Sequence, residues 1–178
     1  VLSKNNSSVI LQMRLGAGGT EDAAFYIFGG DAEVAIWERL WAAHKNTPEN
    51  LTYDVLIAPH HCSWHSLSWD SWSKLGEKVK VSQDARSALS QTRGGALILA
   101  SSCPIEDDDN DPPCIRAKRE YEEIAAAAKG EFRCVGEIES EGPLVIEVTK
   151  NGPKVARVAL SATAAAATGI GTEALAHG

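Results

Sequence analysis

The chain has 178 residues, 44% apolar and 23% charged, a composition that argues against disorder and for one globular domain with a real core. A formal charge of −7 and a pI near 5.2 disfavour a broad grip on nucleic-acid phosphates or an anionic membrane, which needs clustered Lys and Arg. They leave room only for a local basic groove, so nucleic acid stays open as a partner. No apolar run approaches the roughly 20 residues of a spanning helix, and "VLSKNNSSVILQMRL" has no apolar stretch or cleavage site of the signal-peptide kind. No membrane association is expected, and the cytoplasm is the expected compartment. Cys62, Cys103, Cys114 and Cys134 are widely spaced without a CxxC pair, which predicts free thiols rather than a zinc ribbon or a disulfide framework.

In chain order, "SVILQMRL" and "AAFYIFGG" read as two strands separated by the turn-rich "GAGGTED". "DAEVAIWERLWAAHK" follows as a helix with Val34, Trp37, Leu40 and Trp41 on one face. "YDVLIAP" is a nearly continuous apolar strand of the kind buried on both faces, and "SLSWDSWSKLG" predicts a short helix beginning near Ser68. "GALILASS" is the next buried strand. "PPCIRAKREYEEIAAAAKG" carries Pro at its start, helix formers inside and Gly at its end. "FRCVGEI", "PLVIEVT" and "KVARVAL" read as strands, the last two joined by an Asn151-Gly152 turn. Alternating strands and helices with a β-rich end predict an α/β fold, a mixed sheet with helices on one face, over residues 1–160. The small-residue-rich stretch 161–178 is expected to be a flexible tail.

Three of the five histidines, His60, His61 and His65, fall within "HHCSWH", directly after the strand "YDVLIAP". Asp31 stands in the equivalent place after "YIFGG", where two glycines let the backbone turn sharply. Strand ends are where α/β sheets place their sites, so a carboxylate and an imidazole could meet at one point, as oxygen and nitrogen donors for Zn²⁺, Mn²⁺ or iron. The plainer alternatives are that Asp31 caps the following helix and that the histidines belong to a hydrogen-bonded loop.

"NNSSVILQMRL", "FYIFGGDAE" and "DVLIAPHHCSWHS", in this order, resemble the second half of a metallo-β-lactamase-fold hydrolase. The likeness is to the ComEC-like branch, with its "NxxSxV" strand, "TGD" strand end and "DVLxxPHHGSxxS" segment, and covers about residues 4–105. It implies half of an αββα sandwich with helices on the outer face of the sheet. It further implies that Asp31 is a carboxylate bridging two metal ions, most simply Zn²⁺, with Mn²⁺ or iron as alternatives. His60 would be a metal ligand, and His61 a neighbouring catalytic or substrate-facing group. The implied activity is hydrolysis of a phosphodiester or another ester or amide.

The chain departs from that pattern in three places. It contains no HxHxDH motif, so a binuclear site is not expected to close within it. The glycine of "HHGS" is Cys62, and where the family has a later "HP" this chain reads "ASSCPIEDDDNDPPCIRAK". Either Asp107 to Asp111 take over that role or it has been lost; the plainer reading of the run 106–111 is a solvated loop favourably placed before a helix. The abrupt start, without an initiator methionine, suggests that an N-terminal half of the fold is supplied separately, as a second polypeptide, or that the chain self-associates. Metal-dependent hydrolase half-domain is the first functional expectation. The second is a catalytically inert partner or scaffold subunit that binds protein through Trp64, Trp69 and Trp72, residues of a type enriched at hot spots.

Overall fold

The computed structural model describes residues 4–138 and 143–156. Strands β1 (Leu11–Ala17) and β2 (Thr20–Phe28) form an antiparallel hairpin whose turn residues Gly18 and Gly19 both have positive φ. The chain continues through α1 (Val34–His44), β3 (Tyr53–Ile57), α2 (Trp72–Leu75), α3 (Gln83–Leu89), β4 (Thr92–Ala100), α4 (Ile115–Ala127), β5 (Glu131–Cys134), β6 (Val145–Thr149) and β7 (Gly152–Ala156). The first five strands make one sheet in the order β1-β2-β3-β4-β5, with β2 to β5 parallel. Strands β6 and β7 form a separate antiparallel pair. The fold is α/β with a mixed sheet, as the alternation of apolar runs and helical segments predicts. No helix among the described residues is long and apolar enough to cross a membrane.

The two faces of the sheet are covered differently. Ile27, Leu56, Ile98 and Ala100 face a large core completed by Val34 and Trp37 of α1, Ala85 and Leu89 of α3, and Ala117, Tyr121 and Ile124 of α4. Val55, Leu97 and Leu99 face the other way, against Tyr26, Ile57, Leu144 and residues of the β6–β7 hairpin. This second cover is incomplete. Leu11, paired with Phe28, and Met13, paired with Tyr26, lie on the same face, and Leu11, Met13 and Phe28 are 51%, 39% and 38% exposed.

Several elements differ from expectation for identifiable reasons. The helix expected near Ser68 starts at Trp72, because the Ser68 hydroxyl is consumed in a turn: it donates to the Lys80 carbonyl and accepts from the Asp70 amide. Helix α3 was not expected from the pattern, yet Ser82 caps it by accepting from the Ala85 amide. The strand read as "FRCVGEI" stops at Cys134. A β-carbon on Gly136 would lie 2.6 Å from the Ser102 carbonyl oxygen, so the chain turns there against the loop that follows β4. The "KVARVAL" strand begins earlier, at Gly152, and its residues 157–160 lie outside the described residues, as does the expected tail 161–178. Trp64 and Trp72 are core residues at 0% and 6% exposure, correcting their reading as surface anchors; Trp69 alone of the three is exposed.

Helices α3 and α4 are joined by a buried charge. Glu120 is 4% exposed and receives Arg86 Nε at 2.8 Å and Arg116 Nη2 at 2.8 Å, while Arg86 also reaches Glu123. Both arginines keep some solvent contact, so losing the carboxylate leaves them partly hydrated. Glu120→Ala is expected to cost about 2–3 kcal/mol, below the loss for a fully buried pair, and to lower the midpoint of thermal unfolding by about 5–10 °C, measurable by calorimetry. A midpoint within error of the wild type would show that the cluster does not hold α3 to α4.

Candidate functional site at the carboxyl edge of the sheet

Strands β2 and β3 run parallel and end side by side, which brings the segments that follow them into contact. The His60 amide donates to the Gly30 carbonyl at 2.7 Å, and the Gly29 amide to the Ile57 carbonyl at 3.3 Å. Glycine is required on the β2 side. A β-carbon on Gly29 would sit 2.8 Å from Pro59 Cβ, and one on Gly30, whose φ is +52°, would sit 2.9 Å from the Val9 carbonyl oxygen. Asn5, which precedes β1, donates to Glu33 Oε1 and so ties the N-terminal segment to the loop after β2.

The sequence therefore places Asp31 and the two histidines on neighbouring, hydrogen-bonded loops. Asp31 is exposed and, among the described residues, has no hydrogen-bond or ion-pair partner. It does not cap α1: the N-cap position belongs to Glu33, which makes no side-chain capping bond.

The loop that carries the histidines is strained. His60, His61 and Cys62 have φ of 50°, 55° and 70°, three successive non-glycine residues in the left-handed region, which costs roughly 1–2 kcal/mol for each. Cys62 stands where the resemblance expects glycine, and its backbone has the conformation that glycine favours. The strain is held by contacts on every side. Cys62 donates to the Pro59 carbonyl and accepts from the Cys114 amide, Ser63 donates to the His60 carbonyl, and the Cys62 side chain is fully buried. Backbone strain of this kind persists only where surrounding structure over-determines it, and it concentrates at functional sites.

Asp111, the last acidic residue of the run 106–111, supplies the main outside anchor. Its Oδ1 accepts from Ser63 Oγ at 2.6 Å and from the Trp64 amide at 2.9 Å, and Ser63 Oγ in turn accepts from the His65 amide. Its side chain is 8% exposed, and Oδ2 is buried with His65 Nε2 3.8 Å away. The rest of the run behaves as a loop, with Asp107 paired to Arg119 and the Asp108 carbonyl accepting from Trp72 Nε1. Sequence reasoning missed Asp111 because nothing in "EDDDND" separates the inward carboxylate from its solvated neighbours.

The two adjacent histidines differ. His61 Nδ1 lies 2.6 Å from the Ser101 carbonyl, which can only accept, so Nδ1 carries the proton and Nε2 is left as an acceptor. His60 Nδ1 is buried without a partner. The rings are 6.5 Å apart between centroids and inclined at 58°. Beside His61 lies a wide, open depression lined by His61, Ser101, Ser102 and Cys103 and, on its apolar side, by Pro112, Pro113 and Val135. The Cys62 thiol is fully buried. Burial raises its pKa well above the ordinary thiol value, nearby Cys114, Cys134 and Asp111 add to the rise, and Lys118 opposes it. All four cysteines are free.

An exposed carboxylate, an imidazole with a fixed tautomer and a second imidazole with an orphaned nitrogen suit part of a metal-ligand shell. They do not make a whole one: among the described residues no group of three or more His, Cys, Asp or Glu is arranged to hold a metal ion. No family model matches the chain, nor does any curated protein or solved structure.

Left-handed backbone at Cys62 generates a specific expectation. Elsewhere in a core, Cys→Gly should be worse than Cys→Ala, because glycine loses more backbone entropy. At Cys62 the αL geometry cancels that penalty, so Cys62→Gly should be at least as stable as Cys62→Ala in urea unfolding, by about 0.5–1 kcal/mol. A glycine variant clearly less stable than the alanine variant would mean that the loop has another conformation.

Proposed function

We propose that the chain is one half of a metal-dependent hydrolase of the metallo-β-lactamase kind, acting on a phosphodiester or another ester or amide. Asp31 and the His60–His61 pair serve as its contribution to a site completed by ligands from a partner carrying HxHxDH. The observation that carries this reading is the hydrogen bond from His60 to Gly30, which holds the carboxylate loop and the imidazole loop together at the ends of adjacent parallel strands. Zinc, or manganese or iron, would supply Lewis-acid chemistry there.

His61 is the better candidate for a direct ligand, the reverse of the preference the resemblance suggested. Donation from one ring nitrogen to a backbone carbonyl is the usual way a ligating histidine is oriented, and Ser101 provides it. His60 then positions the loop through its backbone. The free thiols agree with a reducing compartment, and we place the assembly in the cytoplasm.

A second reading, an inert partner or scaffold subunit, draws on the exposed apolar strip of Leu11, Met13 and Phe28 and on exposed Trp69. Metal content separates the two. In the complex purified with its partner, the hydrolase reading expects bound zinc and turnover of bis(p-nitrophenyl) phosphate or a chromogenic ester. Asp31→Ala and His61→Ala should each remove metal and lower turnover by about 100-fold or more, with a smaller loss for His60→Ala. Unchanged metal content and turnover in the triple alanine variant would refute the hydrolase reading and leave the scaffold reading standing.

A further inference from the structure

The two ends of the main sheet are finished differently. Strand β5, at one end, is short and carries Glu131 and Arg133, which pair with each other, the kind of charge that keeps an edge from recruiting a further strand. Strand β1, at the other end, reads "LQMRLGA", without proline or lysine, and among the described residues it pairs only with β2. Its one charged group, the Arg14 guanidinium, is laid over the Phe25 ring at 5.0 Å from the ring centre.

The direction of the backbone groups of β1 follows from β2. The Phe25 amide donates to Asp54 Oδ2 and the Gly29 amide to the Ile57 carbonyl, so Phe25, Ile27 and Gly29 turn their backbone groups toward β3. Across the hairpin, Arg14 faces Phe25 and Gln12 faces Ile27. These are therefore the pairs without mutual hydrogen bonds, and Gln12 and Arg14 aim their N–H and C=O groups at the open edge. Unpaired groups in a row are a template for another strand.

The side chains say which strand fits. Val9, Leu11, Met13, Leu15 and Ala17 alternate onto one face, and Val9 is 78% exposed. The row has the same character read in either direction from Met13: a leucine two residues away and a smaller apolar residue four away. A row of this kind is complementary to an antiparallel copy of itself.

We infer that β1 is the interface of a twofold-symmetric dimer of this chain, in which the β1 strands of two copies pair antiparallel with Met13 opposite the partner's Met13. In this register Gln12 and Arg14 exchange both backbone bonds with the partner's Arg14 and Gln12, and Leu11 meets the partner's Leu15. Centring the pair on Arg14 would set like charges face to face, and centring it on Gln12 would match Arg14 and Leu15 with Ile10 and Val9, which precede the strand. The dimer goes beyond the hydrolase reading and does not rest on it, because edge pairing needs neither a metal nor a partner carrying HxHxDH.

The test uses the full chain alone, in sedimentation velocity and amide exchange. The wild type should pass from monomer to dimer between about 5 and 500 μM, the range of a small interface, and the Gln12 and Arg14 amides should exchange about tenfold more slowly at the upper end. Arg14→Pro removes an N–H that the hairpin does not use and should weaken the dimer about tenfold. Met13→Lys and Met13→Glu should each weaken it to a similar degree, about tenfold, by setting like charges across the axis. An equimolar mixture of these two variants should dimerise again, since this register places the position opposite itself. A monomer at every concentration would overturn the inference and leave the edge to a strand of another chain. Full dimerisation of Arg14→Pro would overturn it as well, assigning the contact to the apolar sheet face, as would a mixture no more dimeric than either Met13 variant alone.

Discussion

One hydrogen bond organises this edge of the molecule: the His60 amide to the Gly30 carbonyl, between segments that leave parallel strands β2 and β3. It goes with an approach of the two backbones so close that a side chain on Gly29 would collide with Pro59, and with a left-handed turn of the chain at His60 directly after the donating amide. The glycine pair, the proline and the strain are consequences of the same approach. The placement of the candidate site follows from it as well, because the residues just beyond the contact are Asp31 on one loop and His61 on the other.

That strain has to be offset by contacts outside the loop, and most come from the segment that follows β4. Ser101 fixes the His61 ring, Cys114 bonds the Cys62 carbonyl, and Asp111 accepts two hydrogen bonds from Ser63 and Trp64. A stretch that reads as a solvated acidic loop therefore has one residue with an inward, structural part. The same stretch also supplies Pro112 and Pro113 to the wall of the open depression beside His61, so one segment both steadies the histidine loop and borders the surface next to it.

Much of the fold was legible because apolar runs of strand length are hard to satisfy otherwise. "DVLI" and "ALILA" could only be strands buried on both faces, and the proline, helix formers and glycine around 112–130 announced α4. That the loop carrying Asp31 would neighbour the loop carrying the histidines was legible for the same reason, as a consequence of strand ends. What escaped was whatever depends on long-range partners. Trp64 and Trp72 look alike to Trp69 in a serine-rich stretch, and only packing against the helices tells buried from exposed. Helix α3 is seven residues long and weakly patterned, so its Ser82 cap was easily passed over. The different surroundings of the His60 and His61 rings turn on a carbonyl forty residues away.

The strand order of the main sheet is also the order of the strands along the chain. Each new βα unit can therefore be laid against the growing edge of what precedes it, without waiting for a strand that must later be inserted between two others. Such accretion keeps pairing partners close in sequence, which favours fast assembly and suits vectorial emergence from a ribosome. The edge formed by β2 and β3 would be present early, whereas Asp111, which secures the left-handed segment, arrives some fifty residues later. The histidine loop is thus the last part of that edge to acquire its final shape, although the fifth strand of the sheet, β5, comes later still along the chain.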